Sequence, residues 1–175
     1  MSFVNGYCHA ITQINRWFAI LASLLVFVMV AAISYEVVAR YFFDAPTVWA
    51  LELSTLLLGP YFMLAGPYIL HTAGHVNVDI LYGKLSPRVA AMVDAGIYPI
   101  IGLISCVLIY QSIPVAMNSI ESGETSFSSW NPAIWPVKTL IPIAFSLLLL
   151  QAIAEMLVAI QRVGHRAEHQ GEGRA

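Results

Sequence analysis

Residues 37–79, VVARYFFDAPTVWALELSTLLLGPYFMLAGPYILHTAGHVNVD, hold one hydrocarbon-length apolar segment framed by ionisable groups. Arg40, Trp49 and Glu52 stand around its start, and His75-x-x-x-Asp79 follows its end. A charged side chain at the centre of a bilayer costs about 2.5 to 3.5 kcal/mol on insertion scales. Charges at the rim of such a helix therefore point to specific contacts.

The same reading extends to the whole chain. Hydrophobic residues make up 59% of the 175 and charged residues 10%, with a mean hydropathy of +0.76. That balance belongs to an all-α integral membrane protein rather than a soluble domain. Crossing a hydrocarbon core takes roughly 20 apolar residues in a helix, and four stretches qualify: Trp17 to Ala39, Val48 to Leu70, Ala95 to Ala116 and Trp135 to Leu157. They predict a single four-helix domain over residues 1–163, with helices at 17–39, 48–70, 87–116 and 135–160. The polar, glycine-containing segment 164–175 is expected to be a disordered tail. Met1 to Asn15 has no basic start and no small-residue cleavage signal follows, so the first helix is expected to be retained.

Orientation follows from Lys and Arg, which favour cytoplasmic loops. With both ends inside, Arg16, Lys84, Arg88, Arg162, Arg166 and Arg174 are cytoplasmic, and Arg40 and Lys138 are outside. Residues 71–85 then form a short interfacial connection on the cytoplasmic side. Net charge is -2 and basic residues form no long run, so nucleic acid is not an expected partner and membrane lipid is. Cys8 and Cys106 differ too much in predicted depth to bridge.

Glu36 and Arg40 fall one turn apart in the favourable order. Arg40 has two acids within reach, Glu36 on its own helix and Glu52 across the tight Asp44-Ala45-Pro46-Thr47 turn. Gly59-Pro60 and Gly66-Pro67 lie seven residues apart on one face of the second helix, which predicts packing on protein rather than lipid, because a neighbour must satisfy the carbonyls a proline releases. That face is also the first expectation for a partner subunit. Ser105, Gln111 and Ser112 read as interhelical hydrogen bonders, and Ser86-Pro87-Arg88 reads as a helix start.

Catalysis and cofactor binding find little support. The spacing of His71, His75 and Asp79 suits metal ligands on a helix but does not complete a site. The five histidines fall at or beyond the predicted cytoplasmic boundary, where they would not serve as haem ligands within the bilayer, and no Ser or Cys shares its depth with a His. No enzyme activity, metal or cofactor is expected. Neither a series of mid-depth charges nor paired broken helices in an internal repeat marks a transport path.

Arg40-Tyr41-Phe42-Phe43, then Trp49 and Glu52-Leu53, resembles the R-Y-x-F and W-x-x-E-L pattern of the small membrane subunit of TRAP transporters, the tripartite ATP-independent periplasmic uptake systems. Gly74-His75-Val76-Asn77-Val78-Asp79-Ile80-Leu81 is similar to that family's H-V-x-V-D-x-L, and the likeness extends from about Arg16 to Leu157. Gly59-Pro60 departs from it, since relatives often carry a bulky residue there. The resemblance implies a small permease subunit in a bacterial inner membrane. It implies two partners, a large elevator-type membrane subunit that moves organic acids or related solutes with sodium, and a periplasmic substrate-binding protein. The small subunit would act as a stator and share the docking surface. Arg40, Trp49, Glu52, His75 and Asp79 then become expected structural or subunit-interface residues, and Asp44, Glu121 and Glu124 expected periplasmic docking residues. A free-standing four-helix carrier or channel is the alternative.

Overall fold

In the computed structural model, the backbone is described for residues 2–73 and 87–172 and the side chains for 4–72 and 96–160. Four helices are described: α1 (Ser2–Phe42), α2 (Ala50–Ala73), α3 (Pro87–Glu121) and α4 (Trp135–Glu172). All four contain a stretch long and apolar enough to cross a membrane. Among the described residues there is no strand, only an isolated antiparallel bridge between Thr125 and Ala133. Residues 43–49 and 122–134 connect helices at one end of the bundle, the loop end. The start of α1 and the end of α4 lie toward the other, the terminal end.

The helices run further than their apolar cores. Starting α1 at Trp17 is corrected to Ser2, which gives a rod about 61 Å long at 1.5 Å per residue, twice the hydrocarbon thickness. Hydropathy does not mark this extension because its helical signal is a spacing: Tyr7, Ile11 and Asn15 recur every four residues. Tyr7 donates to the Leu150 carbonyl at 3.3 Å, and Cys8 to that of Ala154 at 3.6 Å. At the other end of the sequence, α4 continues to Glu172, past Gly164 where a tail was expected. A helix already nucleated in lipid propagates readily through Arg, Ala, Glu and Gln.

Helix α4 is the hub. It packs on α3, α2 and α1, while α1 also packs on α2; among the described residues α3 has its extensive contact with α4 alone. The seams follow a seven-residue spacing, the pattern of nearly parallel helix pairs. On α1, Asn15, Ala22, Met29 and Glu36 are buried, and on α3 Tyr98, Ser105, Ser112 and Ser119. A Cβ added at Gly102 would meet Leu149 at 3.7 Å. Small residues bring the backbones close, so that dispersion replaces the hydrophobic drive lipid does not supply.

Pro60 and Pro67 are buried, as the expectation of protein packing required. A Cβ at Gly59 would stand 4.0 Å from Val137 of α4. The Gly59-Pro60 part of this face therefore packs on a helix of this same chain, while Gly66 and Pro67 line, with Phe62, Met63, Ala144, Phe145 and Leu148, a shallow apolar groove between α2 and α4.

Ser105 is fully buried on the α3–α4 seam and Leu103 is 68% exposed. Ser105→Leu is expected to destabilise the isolated chain by about 1 to 3 kcal/mol through overpacking, and Leu103→Ala to stay within about 0.5 kcal/mol. Unfolding in mixed micelles followed by steric trapping measures both.

Candidate functional site: polar clamps at the two ends of the bundle

At the loop end Glu36 is 3% exposed, and a buried carboxylate needs donors on both oxygens. Arg40, one turn on, supplies Nε at 2.9 Å and a second guanidinium N–H to the same oxygen. The other oxygen accepts the Thr47 backbone N–H at 2.9 Å and the Thr47 hydroxyl. The turn that delivers Thr47 contains Asp44 at φ 48°, and Ala45 N–H donates back to the Ala39 carbonyl at 3.0 Å. Asp tolerates this left-handed conformation better than most residues. Tyr35 stacks on Trp49 with centroids 5.7 Å apart, tying the start of α2 to the same turn.

Of the two acids within reach of Arg40, the structure pairs it with Glu36. The α1–α2 hairpin is closed by Glu36 through Thr47 rather than by an Arg40–Glu52 bridge. Glu52 turns instead to the second connection. It accepts the hydroxyl of Ser126 and that of Ser128, the latter at 2.6 Å to each oxygen.

That second connection is ordered by its own chemistry. Helix α3 ends with Gly123 at φ 59°, Gly123 N–H bonded to Ile120 C=O and Glu124 N–H to Ser119 C=O, both at 3.1 Å. This is the Schellman ending that favours glycine. Ile134 N–H donates to Glu124 C=O at 2.9 Å and Ser126 N–H to Pro132 C=O at 3.0 Å. Lys138 donates to both oxygens of Glu124 at 2.6 Å, and these bonds above all hold the Glu124 carboxyl below the usual carboxylate range. Glu124, expected as a docking residue, is thus committed to an internal pair. Asp44 and Glu121 are exposed and make no side-chain bond among the described residues.

A second clamp lies at the terminal end, where α1, α2 and α4 meet. Asn15 and Gln151 are both fully buried, and Asn15 Nδ2 donates to Gln151 Oε1 at 2.7 Å. Gln151 Nε2 donates to Glu155 Oε1 at 2.8 Å and to Thr12 at 3.3 Å. Glu155 Oε1 in turn meets His71 Nδ1 of α2 at 2.5 Å. One acid and one amide of α4 thereby hold α1 and α2. Asn15 Oδ1 has no partner among the described residues.

Sequence reasoning passed over Asn15, Gln151, Glu155, Ser126 and Ser128. Gln151 and Glu155 carried a readable signal, two polar groups one turn apart inside the fourth apolar stretch. The two serines carried none, because only the fold brings Glu52 to them. His75 and Asp79 lie outside the described residues. Ser105 and Ser112 sit on the α3–α4 seam but bond their own helix, to Ile101 C=O at 2.8 Å and Ile109 C=O at 3.1 Å; Gln111 points out of the bundle. Among the described residues no three His, Cys, Asp or Glu side chains converge as a metal site would need. The clusters are clamps, in which side chains bond chiefly to one another.

A comparison with protein-family models matches residues 29–162, more than half the chain, to the family described as tripartite ATP-independent periplasmic transporters, DctQ component. No curated protein matches the chain.

Gln151→Leu removes the acceptor of buried Asn15 and is expected to destabilise by about 1 to 3 kcal/mol. Adding Asn15→Leu should return part of that loss, a coupling that a double-mutant cycle in micelles reads directly. The loop carries a pH signature. Because the Glu124 carboxyl is lowered in the folded state, its contribution is complete above the unfolded carboxylate range and is lost as pH falls through the depressed folded value. Hydrogen exchange at the Ile134 amide, corrected for intrinsic rate, should lose protection on acidification, and at a higher pH in Lys138→Met.

Proposed function

The chain belongs to the DctQ family of tripartite ATP-independent periplasmic transporter components, and from that premise we propose that it serves a sodium-coupled uptake system for organic acids or related solutes as its small permease subunit. It braces a larger elevator-type membrane subunit and shares the docking surface for a periplasmic binding protein. In this reading it spans the bacterial inner membrane with both termini in the cytoplasm, so that the loop end faces the periplasm.

The observation that carries the bracing role is the arrangement of the helices. With α3 attached through α4 and, among the described residues, no extensive contact between α3 and either α1 or α2, the four helices do not surround a common axis. A path for a polar solute needs polar groups lining a cavity. Here the buried polar groups at the two ends bond chiefly to one another or to backbone, and the groove between α2 and α4 is lined by apolar side chains and Gly66. A wide, internally clamped slab suits a fixed support better than a conduit, which weighs against the free-standing carrier or channel.

Docking narrows to the groups the structure leaves unpaired. Asp44 and Glu121 are exposed at the loop end, whereas Glu124 and Glu52 hold the 122–134 connection in shape. Arg40 and Trp49 support the α1–α2 turn beside them. We assign His75 and Asp79 to the interface with the larger subunit on the motif alone.

Extraction of the native membrane in mild detergent with a tag on the C-terminus should recover a much larger polytopic protein in stoichiometric amount, and the pair in liposomes should take up solute only with a sodium gradient and binding protein. Recovery of this chain alone, together with flux through it alone, overturns the reading. Asp44→Asn with Glu121→Gln is expected to raise the binding-protein concentration for half-maximal uptake about two- to fivefold, the scale of exposed ion pairs, with assembly intact.

A further inference from the structure

Helix α3 packs on α4 through the seam of Ser105, Ser112, Ala116 and Ser119. At 3.6 residues per turn, the opposite side carries Ile100, Leu103, Val107, Tyr110, Gln111 and Pro114, all exposed. Lipid accepts the apolar members of that stripe. Tyr110, 78% exposed, and Gln111 beside it are of another kind. Neither side chain has a hydrogen bond among the described residues.

Depth gives the observation its force. Tyr110 stands about 16 Å along the helix from Glu121, where α3 ends, at 1.5 Å per residue, about half the thickness of a hydrocarbon core of about 30 Å. Side chains on a helix lean toward its N-terminus, so both polar groups lean away from the nearer polar end. In hydrocarbon an amide and a phenol at that depth have no water to bond, and unsatisfied polar groups there are strongly disfavoured. Ser105 and Ser112 meet the same constraint by donating to carbonyls of their own helix; Tyr110 and Gln111 make no such bond.

We propose that the Leu103–Val107–Tyr110–Gln111 face of α3 seats a transmembrane helix of the larger membrane subunit, one that presents a hydroxyl, an amide or a released backbone carbonyl level with Tyr110 and Gln111. This rests on the small-subunit reading above. A second copy of this chain suits the face less well. On a two-fold axis along the membrane normal the stripe would meet itself, and Ile100, Leu103 and Val107 are bulky where close self-packing favours small residues. A helix of different sequence can be shaped to them.

A photoreactive benzoylphenylalanine placed at Val107 in native membranes tests the face, with adducts identified by mass spectrometry. The expected product is a cross-link to the larger subunit; adducts only with lipid or with a second copy of this chain overturn the proposal. The polar pair is tested by Tyr110→Phe with Gln111→Leu, which should lower retention of the larger subunit in detergent about three- to tenfold, the scale of one or two interhelical hydrogen bonds. Unchanged retention overturns the role of the pair. The unsubstituted, tagged chain from the same membranes separates the two readings: a larger subunit that copurifies without an adduct from Val107 refutes this face alone, and none copurifying refutes the small-subunit reading with it.

Discussion

Gln151 has no exposed surface, and its amide is the point at which three helices are fixed to one another. It accepts from Asn15 of α1 and donates to Glu155, which reaches His71 of α2. In water such contacts would add little, because each group would exchange one partner for another. In a bilayer the alternative is an amide in hydrocarbon, so the network constrains register: sliding α1 by one turn would separate Asn15 Nδ2 from Gln151 Oε1 and cost both atoms this bond. The long helices are free to extend past the membrane because their mutual position is set by these few bonds and by the small residues between them.

The loop end repeats the device with different chemistry. Glu36 takes Arg40 and Thr47, Glu52 takes Ser126 and Ser128, and Glu124 takes Lys138. Each carboxylate ties a connection to a helix. Glu36 fixes the short turn, and Glu52 fixes the longer loop to α2 although that loop joins α3 to α4. The 122–134 connection thus spans the side of the bundle where, among the described residues, α3 makes no extensive helix contact with α2. Between the two sets of clamps, Ala22, Ala32 and Ala144 are buried and need only close approach.

Much of this was legible in the sequence, and the remainder fails for identifiable reasons. The four spans follow from hydropathy, because a segment in lipid must be apolar over its whole length. The inward face of Pro60 and Pro67 follows from what proline does to a helix. The first fifteen residues were not readable as helix from hydropathy, since Asn5, His9, Thr12, Gln13 and Asn15 lower it below that of a span; only the periodic Tyr7, Ile11 and Asn15 betray the face that packs on α4. Arg40 illustrates a different limit. Spacing offers Glu36 and Glu52 equally, and the choice is made by Thr47, whose position depends on the turn. Glu52 is then free for serines 74 and 76 residues away in sequence, a separation that no local pattern encodes.

Two sets of polar residues in the described spans differ in their partners, and the difference bears on what the chain does. Asn15, Glu36, Glu52, Ser105, Ser112, Gln151 and Glu155, on the seams or at the ends, each make a bond within the chain. Tyr110 and Gln111 do not, and they sit on the helix with the fewest neighbours. Four helices closed around an axis would turn their polar groups inward and an apolar coat outward all round. Here one helix stands to the side of the hub with its polar pair turned outward, which is the distribution of a component whose packing is finished by another transmembrane element.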